Sequence, residues 1–274
     1  MPETTRRAVL AGSAALLAGT ALSAVAATPA VASSRRGPKP TIVLVHGAFA
    51  DASGWAEVTR RLQRAGYPTV APANPLRGVP SDTAYLAEFL RTITGPIVLV
   101  GHSYGGIIIT NAATGNPAVK ALVYIAAFAP DEGETLEALQ TKFPGSKLGL
   151  EALDLRPYTR PDGSPSADGY VKADLFRQIF AGDLPESVTA VMAATQRPGD
   201  VHTLQDRSGP PAWRDVPSWY LVARDDNLIP AAAQRFMAQR AHSRTVEVRA
   251  SHVAMMSEPA VAADLITRAA ATVR

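Results

Sequence analysis

The chain has 274 residues, 47% hydrophobic and 19% charged, and no cysteine. Disulfides, thiolate metal sites and a cysteine nucleophile are thereby excluded, and covalent catalysis would have to use another side chain. The net charge of +3 is too small to drive binding to a polyanion, and 6% aromatic residues leave little for base stacking, so nucleic acid is not an expected partner.

Arg6 and Arg7 form a twin-arginine pair, and no further charge appears until Arg35, after a run rich in Ala, Gly and Leu. That is the pattern of an export signal. Small residues at 24–26 and 30–32 suit cleavage, and the expected signal is 1–32. The stretch is only mildly apolar, which argues against a retained membrane anchor. The expectation is a secreted or extracytoplasmic protein with no stable membrane association after cleavage.

The apolar run 41–45, TIVLV, has the character of a strand buried on both faces. Comparable runs at 69–73, 96–100, 121–127, 218–222 and 245–248 predict six strands. Helix-length amphipathic stretches at 52–65, 82–92, 104–113, 231–241 and 260–271 alternate with them, which predicts a mostly parallel six-stranded sheet with helices on both faces. Ligands then bind at the carboxyl ends of the strands. Segment 131–216 breaks the rhythm and contains a Pro/Gly/Asp/Ser-rich patch at 156–169. It is expected to be a helical lid, with helices at 135–141, 173–180 and 185–196, inserted between a first core part, 33–130, and a second, 217–274.

Gly101-His102-Ser103-Tyr104-Gly105 lies between a predicted strand and a predicted helix. The pentapeptide alone is a weak signal; its placement gives it weight. A nucleophile on a strained strand-to-helix turn needs small neighbours, and Ser103 there would meet the free N–H groups of the helix start. His46-Gly47-Ala48-Phe49 follows the first strand. The N–H groups of Ala48 and Tyr104 would form an oxyanion hole, with Phe49 as reserve donor. His46 is expected to hold the loop by hydrogen bonds.

With these motifs and Ser251-His252-Val253-Ala254-Met255-Met256-Ser257-Glu258-Pro259, the chain resembles serine hydrolases of the α/β-hydrolase fold superfamily. It is similar to the small esterase branch that includes plant methyl esterases and hydroxynitrile lyases. The resemblance implies a base after the last strand, which is His252. It also implies an acid four residues before the Pro that opens the next helix, which is Asp226. Asp225 and Asp131 remain alternative acids. His102 and His242 are expected to be structural, and His202, in the lid, could reach substrate. Hydroxynitrile lyases of the branch carry a Lys after the catalytic His and a Thr in the His-Gly loop; Val253 and Gly47 stand there, which disfavours lyase chemistry. A Ser nucleophile argues against epoxide hydrolase and dehalogenase chemistry.

No metal or cofactor motif is present, so none is implied. The expected activity is cleavage of small to medium uncharged esters or lactones through a Ser103 acyl-enzyme. Perhydrolase or C–C hydrolase chemistry and a receptor-like ligand-binding role are the alternatives; composition does not fix the oligomeric state.

Overall fold

The computed structural model describes residues 38–273; the expected signal at 1–32 lies outside them. The chain runs β1 (Thr41–Val45), α1 (Ala56–Arg64), β2 (Thr69–Val70), α2 (Val79–Arg91), β3 (Ile97–His102), α3 (Gly105–Ala112) and β4 (Val119–Ile125). An intervening segment carries α4 (Leu136–Thr141), β5 (Leu153–Thr159), β6 (Pro165–Val171), α5 (Ala173–Phe180), α6 (Glu186–Thr195) and β7 (Gly199–Asp200). The chain then closes with β8 (Ser218–Ala223), α7 (Ala231–Arg240), β9 (Arg244–Val248), α8 (Ala254–Ser257) and α9 (Pro259–Ala271).

Six strands form one sheet in the order β2-β1-β3-β4-β8-β9, and every pair in it is parallel. Consecutive strand residues point to opposite faces, yet Ile42, Val43 and Leu44 are all buried, as are Val98, Leu99 and Val100. Both faces of the sheet are therefore covered, as the unbroken apolar runs require. Strand β2 is shorter than its sequence suggests because it is an edge strand bonded only to β1, and Pro72 and Pro75 cannot donate to a ladder. Strand β4 stops at Ile125 because Ala126 turns into the left-handed region with φ 43°.

The register brings the functional loops together. Val45 pairs with Gly101 and His102 with Ile125, so the His46 loop and the Ser103 turn leave the sheet side by side. Ala223 pairs with Val248, which sets the Asp226 and His252 loops beside each other.

The segment between β4 and β8 contains the three expected helices, but it also holds a sheet that its sequence did not announce. Strands β5, β6 and β7 pair antiparallel. The Pro/Gly-rich patch is a hairpin: Arg160 N–H donates to Ser164 O at 2.9 Å, and Gly163 takes the left-handed conformation that closes it, with φ 84°. Most of β5 is exposed, so neither apolar run nor clean alternation marks it.

Polar side chains hold this hairpin to β7. The buried Asp200 carboxylate accepts from Tyr158 Oη at 2.6 Å, Ser166 Oγ at 2.7 Å, His202 N–H at 2.9 Å, and Arg160 Nε and Nη2 at 3.0 and 2.9 Å. Burial alone would raise its pKa, but these donors outweigh burial and hold it at about 2. A depressed carboxylate pKa stabilises the fold above the ordinary value of 3.8, and that contribution is lost as pH falls through about 2. Asp200→Asn should therefore lower the thermal midpoint at pH 7 by several degrees, at about 2–4 °C per kcal/mol for a domain of this size. Thermal scans of both proteins should show the gap closing between about pH 4 and 2; a gap independent of pH contradicts the account.

Candidate active site

Ser103 follows the last residue of β3 and has φ 53°, a strained conformation for a residue with a β-carbon. Two bonds fix it: its carbonyl accepts from Gly106 N–H at 2.9 Å and Phe128 N–H at 3.1 Å. The turn is tight because neighbouring backbone leaves no room for side chains. A β-carbon on Gly105 would lie 2.6 Å from the Val45 carbonyl oxygen, and one on Gly47 2.6 Å from Ser103 Cβ. Ser103 is buried but lines a cavity of about 160 Å³ together with Ala48, Phe49 and Tyr104.

Across the sheet, His252 Nδ1 and Asp226 Oδ2 are 2.7 Å apart, and both side chains are fully buried. The carboxylate is fixed by three further donors, Leu228 N–H and Ile229 N–H on Oδ1 at 2.7 and 2.9 Å, and Gln234 Nε2 on Oδ2 at 2.8 Å. An ionised acceptor on Nδ1 sets the imidazole proton there and leaves Nε2 as the free acceptor. That atom is buried without a hydrogen-bond partner among the described residues. The two alternative acids lie elsewhere: Asp225 is exposed and faces Arg249 at 3.5 Å, and Asp131 pairs with Arg214 on the surface.

Ala48 and Tyr104 have N–H groups with no acceptor among the described residues. The Phe49 N–H donates to Arg197 O at 2.8 Å, so the reserve donor is occupied and the free pair is Ala48 and Tyr104. His46 holds the first loop: Nδ1 donates to Gly47 O at 2.9 Å and Nε2 accepts from Asn74 N–H at 3.0 Å. Asn74 Nδ2 returns a bond to His46 O at 2.9 Å. Burial lowers the pKa of His46, in keeping with a neutral ring that both donates and accepts.

The other histidines divide as their positions suggest. His102 Nε2 donates to the His252 carbonyl at 3.0 Å, and burial, with His252 nearby, pushes its pKa well down. It is a neutral prop beneath the His252 backbone. His242 is on the surface after α7, with φ 50°. His202 is half exposed and faces Ser166 and Asp200; it does not line the Ser103 cavity.

Several site neighbours carry no local sequence signal. Tyr104 Oη donates to the buried Asp82 carboxylate at 2.8 Å; burial and the nearby Asp82 charge raise the tyrosine pKa far above its usual range. Asp183 of the lid accepts from Ser251 N–H at 2.9 Å and from Ser251 Oγ, one residue before His252. Ser146 Oγ donates to Leu228 O at 2.9 Å, beside Asp226. The lid thus clasps both loops of the His–Asp pair. Gln234 had a faint signal, an amide on the buried stripe of α7 formed with Ala233, Met237 and Ala238.

The lid also supplies apolar walls. Leu148, Leu150 and Leu153 line the cavity with Phe128, Leu136 and Leu228. The Phe180 ring lies 5.2 Å from that of His252. Val188 and Val191 of α6 do not contribute to these walls and point to solvent, at 39% and 62% exposure.

Three comparisons bear on this arrangement. A pyrethroid hydrolase from Sphingobium wenxiniae is 27% identical over 252 residues, covering 82% of this chain and 85% of that protein. Methylesterase 1 of Arabidopsis thaliana is 24% identical over 220 residues, covering 73% and 83%. The crystal structure of polyneuridine aldehyde esterase superposes with a TM-score of 0.72 at 19% identity, covering 84% of this chain and 99% of that one. The alpha/beta hydrolase family model matches residues 42–265, and the chain belongs to that family.

Proposed function

We propose that this protein is an exported serine hydrolase that cleaves small to medium uncharged carboxylic esters or lactones through an acyl-enzyme on Ser103. The observation that carries the reading is the buried His252–Asp226 bond of 2.7 Å beside a cavity that presents both Ser103 and two unengaged N–H groups. The esterase and hydrolase names of the relatives support the reaction class, and the Arg6-Arg7 leader supports export.

In this mechanism His252 Nε2 accepts the Ser103 proton as Oγ attacks the ester carbonyl. The Ala48 and Tyr104 N–H groups receive the developing oxyanion, and Asp226 stabilises the imidazolium. His252 then gives the proton to the departing alcohol, and in the second half-reaction it activates the water that frees the acid. Ser103 and His252 share no hydrogen bond here; such bonds commonly tighten only when substrate is bound.

The cavity wall is mainly aliphatic and aromatic, so acyl groups gain affinity by leaving water, at about 0.8 kcal/mol per buried methylene. With a cavity of about 160 Å³, that gain ends early in a chain-length series. Across p-nitrophenyl esters from acetate to palmitate, kcat/KM should rise, pass a maximum at short to medium chains and fall, with no jump above the solubility limit. A maximum at palmitate or interfacial activation would make the protein a lipase and exclude this substrate class.

A further inference from the structure

A second, smaller cavity of about 40 Å³ lies on the other side of Phe49, walled by Met192 and Thr195 of α6 and by Val253, Met255 and Met256. Phe49 is the residue that lines both cavities and separates them. Its backbone has φ 61°, a genuine outlier for a bulky side chain, and such strain persists where surrounding structure imposes it. Here a bond from the Phe49 N–H to Arg197 O at 2.8 Å imposes it. The ring meets Phe180 edge-on with centroids 6.2 Å apart, and Phe180 in turn lies against His252. The aromatic partition thus stands between the Ser103 side of the site and the segment that follows His252.

The chemistry assigns the two sides different work. When the tetrahedral intermediate collapses, the bond between the acyl carbon and the alcohol oxygen breaks, and that oxygen takes the proton His252 accepted from Ser103. The alcohol must therefore leave toward His252, while the carbonyl oxygen is held at Ala48 and Tyr104 and the acyl chain extends into the cavity lined by Ser103. We propose that the smaller cavity is the subsite for the alcohol portion of the ester and that Phe49 limits the size of alcohol that enters it. The proposal rests on the ester-hydrolase reading. The three methionines give the subsite walls that adapt to apolar groups of different shape, so the aromatic ring, not the far wall, sets the limit.

Two substrate series separate the sides: butanoate esters of methanol, butanol, benzyl alcohol and 2-naphthylmethanol, and methyl esters of acids from acetic to octanoic. The rates are followed by acid release for the wild type, Phe49→Ala and Thr195→Trp. Phe49→Ala should raise kcat/KM for the benzyl and naphthylmethyl esters, relative to the methyl ester, by about tenfold or more. Thr195→Trp, at an exposed position that lines the smaller cavity and not the Ser103 cavity, should lower the butyl and benzyl esters relative to methyl and leave the optimum of the methyl-ester series in place. If Phe49→Ala does not fold, Thr195→Trp decides alone. A shift in the acyl series of Thr195→Trp, or an unchanged alcohol preference in a variant whose Ser103 still reacts with a fluorophosphonate, overturns the subsite and leaves the hydrolase reading standing. A wild type that neither hydrolyses any ester nor takes the fluorophosphonate overturns both.

Discussion

Ser103→Ala is expected to lower kcat for ester hydrolysis by at least about a thousandfold, the scale on which members of such a triad act. The substitution removes one oxygen and leaves the turn intact. The strain at φ 53° is held by the bonds from Gly106 and Phe128 to the Ser103 carbonyl, and none of these involves the hydroxyl. Stability should therefore be unchanged while chemistry is lost, which a thermal scan run beside the kinetic assay separates. Residual turnover would come from the oxyanion donors and from binding alone. A variant with more than about a tenth of wild-type kcat would mean that another nucleophile does the work.

Asp226→Asn should cost on the order of 10³–10⁴ in kcat with little change in KM, for a reason readable in its four hydrogen bonds. Oδ1 accepts two backbone N–H groups, so it must remain an oxygen, and the new amide nitrogen takes the place of Oδ2. That nitrogen is a donor facing two donors, His252 Nδ1 and Gln234 Nε2. The imidazole escapes the conflict by moving its proton to Nε2, where it can no longer accept the Ser103 proton. Asp225→Asn and Asp131→Asn act on surface pairs and should leave kcat within about a factor of two. If Asp131→Asn is the damaging change and Asp226→Asn is mild, the acid is misassigned.

The central sheet was legible because strands buried on both faces have to be apolar at every position, and TIVLV at 41–45 or IVLV at 97–100 can satisfy little else. The tight strand-to-helix turn at Ser103 was legible because its glycines answer a steric demand that the 2.6 Å approach to Val45 makes explicit. His252 and Asp226 were implied by the family resemblance, with Asp225 and Asp131 left open as acids, and the parallel register between β8 and β9 brings the loops of His252 and Asp226 together. The lid hairpin was not legible, since its pairing depends on polar side chains converging on Asp200 instead of on an apolar face. Asp82 is 22 residues from Tyr104 and Asp183 is 68 from Ser251. Such partners carry no periodicity or motif, and only the folded chain brings them together.

The claim that Ser103 is the acylated residue is tested most directly by treating the full-length protein with a fluorophosphonate, weighing the intact product and mapping the modified peptide. The account predicts one phosphonate per chain, carried by Ser103, slowed by a competing short-chain ester and absent from Ser103→Ala. An adduct on a different residue, or sustained ester turnover with no adduct on Ser103, would contradict it.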